Sequence, residues 1–144
     1  GERSGPLVDA FLWPRPRVAL GLALRELASA AIDVSDGLLT DLGRLLAAGG
    51  VGATVDAARL PLADAALACC GEAEARRLAL AGGDDYELCF TVPAALQAEL
   101  PSRLAGAPVP ITHIGRVEAA PGLRLTDAPP DLPDGWTHFG GKLQ

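Results

Sequence analysis

The chain has 144 residues, of which 49% are hydrophobic and 21% are charged, and this is enough for one ordinary globular core. Its formal net charge of -6 argues against nucleic acids and anionic membranes as partners, because proteins that bind phosphate backbones need a surplus of Lys and Arg. No apolar stretch reaches the roughly 18 residues of a membrane span and no signal-peptide pattern opens the sequence, so we expect a soluble protein of the cytoplasm.

The first part of the chain is predicted to form a linker, a helix and a strand. Residues 1–14 are punctuated by Gly and Pro and show no sustained period, which predicts a tail or an inter-domain linker. Apolar residues and many alanines over 18–30 favour a buried helix. The short apolar run 31–34 is typical of a buried strand.

A leucine-rich helix is predicted next. Its polar side is expected to carry Thr40, Asp41 and Arg44, and Gly49 and Gly50 end it. The apolar positions with helical spacing are Leu38, Leu39, Leu42, Leu45 and Leu46.

The rest of the chain continues to alternate between strands and helices. Two short helical pieces are expected, and Gly82 and Gly83 stop the second. The predicted elements are a strand over 51–56, helices over 63–70 and 73–81, a strand over 86–92, a helix over 93–104, and strands over 111–117 and 123–126. This alternation predicts an α/β (α+β) domain over 15–144, with a mixed β-sheet covered by helices.

The cysteines and histidines do not suggest a zinc site or a disulfide framework. Cys69 and Cys70 are adjacent and Cys89 lies in a strand-like run, so we expect three buried thiols. His113 and His138 have no ligand partner nearby in the sequence, which favours structural histidines.

The stretch "AIDVSDGLLTDLGRLL" contains the first candidate site. Asp33 ends an apolar strand and Asp36 follows three residues later, so both carboxylates can be directed at one Mg²⁺ ion. The Ser35 hydroxyl and backbone N–H groups at the helix start would then face a phosphate, and Gly37 would let it approach closely. In the alternative interpretation, Ser35 caps the helix and Asp36 favours the positive end of its dipole.

Two further stretches contain candidate binding residues. In "LAGGDDYELCF", Asp84 and Asp85 stand at the start of a strand, where one carboxylate can face a ligand unless the turn is simply solvated. In "GWTHF", Trp136 is either a hydrophobic plug for the last loop or an exposed platform for stacking.

Taken together, the three motifs resemble a known family. The order "IDVSDGL", "GGDDYEL" and "GWTHF" is similar to that in the C-terminal domain of bacterial thiamine-monophosphate kinases, in the aminoimidazole-ribonucleotide-synthetase-like superfamily. The resemblance covers about residues 12–139 and includes "RPRV" and "VGATVDAARLPL". It implies the C-terminal domain of that fold and the conversion of ATP and thiamine monophosphate to ADP and thiamine diphosphate with Mg²⁺.

The resemblance also implies roles for individual residues. Asp33 and Asp36 look like catalytic Mg²⁺ ligands, and Ser35 resembles a serine that contacts ATP. Asp84, where family members commonly carry glutamate, and Trp136 fall where the family contacts thiamine monophosphate. The family further implies an N-terminal domain that this chain lacks, and a homodimer at full length.

Two other functions are compatible with the residues themselves. One is a related ATP-dependent enzyme that acts on another small molecule, although such a substrate gives no reason for the stacking face of Trp136. The other is a non-catalytic α/β module that binds a partner domain and is indifferent to Mg²⁺ and ATP.

Overall fold

The strands of this protein form two small sheets, and helices pack against both of them. In the computed structural model, the described residues are 4–107 and 109–132. Within these ranges the α-helices and strands are, in chain order, α1 (Pro6–Leu12), α2 (Val18–Leu24), β1 (Ala30–Val34), α3 (Leu38–Gly49), β2 (Gly52–Asp56), α4 (Asp64–Ala81), β3 (Glu87–Thr91), α5 (Leu100–Arg103), β4 (Gly115–Glu118) and β5 (Gly122–Thr126). None of the helices in these ranges is long and apolar enough to cross a membrane.

The sheet topology is mixed. Strands β1 and β3 pair antiparallel, with Asp33 opposite Leu88 and Val34 opposite Glu87. The second sheet has the order β4, β2, β5, in which β2 is antiparallel to β4 and parallel to β5. The predicted mixed α/β class is therefore confirmed, with the strands divided between two sheets.

Helix α3 lies at the centre of the main core, as the spacing of its leucines predicts. It contacts β1, β2 and β5, so one helix covers strands from both sheets. The buried members of this cluster are Val34, Leu38, Leu42, Leu46, Ala53, Val55, Ala57, Leu60 and Leu80. A second apolar cluster contains Leu20, Leu24, Leu27 and Leu104, against which Leu88 and Phe90 of β3 pack.

The predicted polar side of α3 is wrong at two positions. Thr40 and Asp41 are both buried, although Arg44 is exposed as expected. Asp41 lies three residues after Leu38 and one before Leu42, so the helical period puts it at the edge of the buried stripe. A buried carboxylate needs hydrogen-bond partners, and those of Asp41 define the candidate site described below.

Helix α4 is bent at Gly71, as the two predicted helical pieces suggest. Gly71 has φ 78° and lies outside the helical region, so the chain changes direction there. The second piece ends at Ala81, with Gly82 as its C-terminal cap. Its end thereby comes close to the start of α3, where the ideal Cβ position of Gly37 is 3.1 Å from the carbonyl carbon of Ala81.

Some local predictions differ from the structure near the N-terminus. The region predicted as a linker contains the short helix α1. The helix predicted over 18–30 ends at Leu24. Before β1 begins, the N–H of Ser29 already donates to the carbonyl oxygen of Thr91 at 2.8 Å. The chain therefore pairs with β3 here and does not continue the helix.

Other predicted elements are shorter than expected in the second half. The helix predicted over 93–104 is a 3-10 segment, Ala94–Glu99, followed by the short helix α5. Pro101 has no backbone N–H to donate within a longer helix. The strand predicted over 111–117 starts at Gly115, since its partner β2 ends at Asp56 and regular pairing stops there.

The expectation of three buried thiols is wrong for two of them. Cys69 and Cys70 are exposed on α4 just before the bend at Gly71, where the helix surface is exposed to solvent. Cys89 is half-buried against the main core, and burial raises the pKa of its thiol to about 11, with a smaller contribution from Asp41. His113 is exposed, and His138 lies outside the described residues.

Candidate functional site

Two acidic loops meet at one end of the β1–β3 sheet. Antiparallel pairing puts the end of β1 beside the start of β3, so the segment that leaves β1 lies against the segment that enters β3. The N–H of Asp84 donates to the carbonyl oxygen of Ser35 at 2.9 Å, and the N–H of Tyr86 donates to that of Val34 at 2.8 Å. We call residues 33–37 the first loop and residues 82–86 the second loop, and the two loops together form the acidic corner.

Glycines allow the two loops of the acidic corner to touch through their backbones. Gly37 has φ 116°, and an ideal Cβ there would lie 3.1 Å from backbone atoms of Ala81 and Gly82. A Cβ at Gly83 would lie only 2.7 Å from the carbonyl oxygen of Ser35. Side chains at these two positions would therefore push the loops apart.

The backbone of the second loop is strained on both sides of Asp85. Asp84 has φ 66° and Tyr86 has φ 53°, and both are unusual values for residues with a side chain. The amides of these same two residues donate to the end of β1 and the loop that follows it. Pairing with the first loop thus holds the second loop in its strained conformation.

The surroundings of Asp85 in the second loop raise the pKa of its carboxyl group. Desolvation of the carboxyl, then the negative charges of Glu87 and Asp84, raise its pKa from 3.8 to about 6. The residue as a whole is nevertheless exposed. The acidic corner therefore concentrates negative charge, which favours a cation or a proton at this place.

Asp41 of α3 holds the first loop from inside the protein. It is 2% exposed, and its Oδ2 accepts hydrogen bonds from the N–H groups of Ser35 and Asp36, each at 2.9 Å. Its Oδ1 accepts from Arg44 at 2.8 Å. The sequence analysis missed this residue; the available signal was a charged side chain at the edge of the leucine stripe.

Asp36 is bridged to Asp41 through Arg44. One guanidinium nitrogen of Arg44 contacts both carboxylates, while Arg44 itself is partly exposed. The hydrogen bond to Asp36 is the main reason why the pKa of Arg44 is raised. The carboxylate of Asp36 therefore already has a cationic neighbour within the chain.

Asp33 lies on the other side of the β1 backbone from the main core. Val34, the next residue, is buried in that core, and successive side chains of a strand point to opposite faces. Asp33 is exposed and shares its face with Leu88 of the neighbouring strand. The backbone segments that carry Asp33, Ser35, Asp36 and Asp84 thus lie side by side, whereas Trp136 lies outside the described residues.

The expected helix cap at Ser35 is wrong. The N-cap of α3 is Gly37, which has no side chain to accept a capping hydrogen bond, and Ser35 and Asp36 precede it. The amides of these two residues donate to Asp41. Among residues 4–107 and 109–132, no group of three or more His, Cys, Asp or Glu side chains is arranged to hold a metal ion.

The chain is similar to proteins of known families. A family model described as AIR synthase related protein, C-terminal domain, matches residues 1–128. The thiamine-monophosphate kinase of Salmonella typhimurium is 48% identical over 113 residues, which are 78% of this chain and 35% of that kinase. The thiamine-monophosphate kinase of Halobacterium salinarum is 42% identical over 125 residues, covering 85% of this chain and 41% of that kinase.

Solved structures agree with these sequence matches. The thiamine-monophosphate kinase of Stenotrophomonas maltophilia K279a superimposes with a TM-score of 0.80 at 46% identity, over 85% of this chain and 39% of that chain. AaThiL complexed with AMPPCP and TMP gives a TM-score of 0.76 at 31% identity, over 96% of this chain and 44% of that chain. These matches confirm the predicted resemblance and fold, and this chain spans well under two thirds of the relatives' length.

Proposed function

Because this chain belongs to the family of AIR synthase related protein C-terminal domains, we propose that it supplies the C-terminal part of a thiamine-monophosphate kinase. The proposed reaction gives ADP and thiamine diphosphate from ATP and thiamine monophosphate. One observation carries the proposal: the hydrogen bond between Ser35 and Asp84 joins a proposed nucleotide-binding residue to a proposed substrate-binding residue. Two substrates that exchange a phosphoryl group must be bound close together.

The chemistry asks for positioning and charge neutralisation. The bond between the terminal phosphorus of ATP and its bridging oxygen breaks, ADP leaves with the electron pair, and an oxygen of the acceptor phosphate bonds to the phosphorus. No covalent intermediate with the protein is required. The acidic corner contains carboxylates and a hydroxyl. These groups suit this reaction better than they suit nucleophilic catalysis.

Asp33 and Asp36 are the proposed ligands for Mg²⁺. Carboxylate oxygens are preferred ligands of this ion, and the contact between Asp36 and the cationic Arg44 supports a cation at this carboxylate. Mg²⁺, when bound, would neutralise phosphate charge. Ser35 would contact the nucleotide through its hydroxyl, since its N–H is already donated to Asp41.

Asp84 and Trp136 are the proposed contacts for thiamine monophosphate. Asp84 is exposed at the acidic corner, where its carboxylate can accept a hydrogen bond from the substrate's amino group. A tryptophan face offers the thiazolium cation stacking and cation–π attraction of roughly 0.5–2 kcal/mol. The AaThiL complex with AMPPCP, an analogue of ATP, and TMP supports the choice of both substrates.

We propose the activity for a protein as long as the related thiamine-monophosphate kinases, which we call the kinase-length protein. The relatives are more than twice as long as the region that this chain matches, so we propose that an N-terminal portion completes the site. From the family resemblance we also propose that the full enzyme is a homodimer. The cytoplasm is the proposed compartment, because the three free cysteines give no sign of a disulfide framework.

Substrate binding can be tested through Trp136. The chain has two tryptophans, and Trp13 is 76% exposed, so a Trp13→Phe variant of the kinase-length protein removes a solvent-exposed background. We expect thiamine monophosphate to quench the remaining signal from this region in that variant but not in the Trp136→Phe variant. No response at saturating ligand, together with no turnover of thiamine monophosphate, would count against the proposal.

A turnover screen separates the alternatives. A related enzyme of the superfamily would turn over another phosphorylated or carboxylated small molecule with ATP and ignore thiamine monophosphate. A non-catalytic module would bind neither Mg²⁺ nor ATP. Each result is distinct from the expected formation of thiamine diphosphate.

A further inference from the structure

The carboxylate of Asp41 is the most completely buried charged group near the acidic corner. One of its oxygens receives two adjacent backbone N–H groups, from Ser35 and Asp36, and the other receives the guanidinium of Arg44. Each carboxylate oxygen therefore has a donor, which is the condition for keeping a charge inside a protein. Asp41 lies on α3, whose leucines anchor it in the main core.

These hydrogen bonds determine the shape of the first loop. Two successive N–H groups that converge on one oxygen curl the backbone into a concave turn, an arrangement that proteins also use to bind anions. Here a carboxylate of the chain itself fills the turn. The carbonyl oxygen of Ser35 accepts from Asp84, so the same turn is fixed on one side by α3 and on the other by the second loop.

We propose that Asp41 is a positioning residue for the phosphoryl transfer. It holds the backbone from which the side chains of Ser35 and Asp36 extend, and through the carbonyl oxygen of Ser35 it sets the place of Asp84. It also keeps the amides of Ser35 and Asp36 from binding phosphate, so that the loop presents side-chain oxygens to a cation. This inference rests on the proposed kinase function.

The kinetic test compares two variants of the kinase-length protein. Asp41→Asn keeps an oxygen for the backbone amides but loses the negative charge that binds Arg44. Leu46→Ala, on the same helix and equally buried, weakens the core without touching the loop. We expect Asp41→Asn to lower kcat, and to raise the Mg²⁺ concentration for half-maximal rate, by about 10–100-fold, as is usual when a residue supporting a metal ligand is changed.

The Leu46→Ala variant separates positioning from a loss of stability. At a temperature well below the melting points of both variants, we expect it to keep the wild-type kcat and Mg²⁺ dependence. Equal kinetics in the two variants would overturn the positioning role. If the wild-type protein makes no thiamine diphosphate at all, the proposed function fails instead, and the amide measurement below still decides whether Asp41 shapes the loop.

Hydrogen exchange tests the same contact without a substitution. In the wild-type protein without nucleotide, the amides of Ser35 and Asp36 should exchange slowly, and AMPPCP should add little protection. Rapid exchange without nucleotide, followed by protection when AMPPCP is added, would show that phosphate rather than Asp41 binds these amides and would overturn the inference. This measurement stands even if Asp41→Asn fails to fold.

Discussion

The N–H of Asp84 donates a hydrogen bond of 2.9 Å to the carbonyl oxygen of Ser35, and this contact unites two acidic motifs from distant parts of the chain. The contact is made by backbone atoms, so the side chains of both residues are left for other partners. A glycine at position 83 is needed for it, because a Cβ there would lie 2.7 Å from the same oxygen. The acidic corner is therefore built by the backbone, and its chemistry is supplied by the side chains.

Removing the charge of either proposed Mg²⁺ ligand should strongly lower the rate of turnover. In the kinase-length protein we expect Asp33→Asn and Asp36→Asn each to lower kcat by about 100-fold or more, because an amide replaces a carboxylate ligand. Asp64→Asn, at the opposite end of α4 from the acidic corner, is the matched control. Formation of thiamine diphosphate at the wild-type rate in both site variants would refute the metal assignment.

The two glycines at positions 37 and 43 should respond in opposite directions to alanine. Gly37→Ala introduces a side chain at φ 116° and in close contact with α4, so we expect a loss of about 1–3 kcal/mol in the free energy of unfolding. Gly43→Ala is in the middle of α3 with open space around its Cβ, and we expect a gain of about 0.5–1 kcal/mol. Urea unfolding of both variants measures the difference, and an unaffected Gly37→Ala would contradict the described packing.

Arg44 should compete with Mg²⁺ for Asp36. Since its guanidinium contacts Asp36, Arg44→Gln should lower the Mg²⁺ concentration for half-maximal rate by roughly two- to fivefold, the range of a partly exposed ion pair. Arg77→Gln breaks a similarly exposed pair, with Glu74 on α4, and should leave that concentration unchanged. A higher Mg²⁺ requirement in Arg44→Gln would contradict this competition and would mean that Arg44 acts mainly through its hydrogen bond to Asp41.

Stability should fall as the pH rises through the titration of Asp85. The folded-state pKa of about 6 lies above the ordinary 3.8, so between about pH 4 and pH 6 the folded state binds more protons than the unfolded state. Asp85→Asn cannot ionise, and its advantage over the wild type should therefore grow from pH 4 to pH 7. Because the residue is largely exposed, we expect an effect of about 1 kcal/mol or less.

Urea unfolding at several pH values measures this effect. Asp64→Asn serves as the control for the loss of an exposed carboxylate. An advantage of Asp85→Asn that is constant across the pH range would show that the Asp85 carboxyl is not desolvated in the folded protein.

Local patterns in the sequence were sufficient for the elements whose signals are strongest. The leucine spacing predicted α3, the alternation after Gly83 predicted β3, and the break between the two pieces of α4 was expected near Gly71. Predictions failed where distant partners decide the outcome. Ser29 does not continue the helix, because it bonds to Thr91 of β3. Cys69 and Cys70 lie in a stretch of α4, residues 68–73, that is exposed throughout.

The sequence by itself determined the fold class, the leucine stripe and the acidic residues that carry the family resemblance, because each is expressed in residue type and short spacing. Only the tertiary structure decided that Ser35 lies against Asp84 and that Asp41 is buried where it accepts hydrogen bonds from Ser35 and Asp36. Burial and hydrogen bonding between distant segments depend on how α3, β1 and β3 pack together. The role of a carboxylate at the edge of an apolar stripe depends on its hydrogen-bond donors, and only the packing of distant segments supplies those donors.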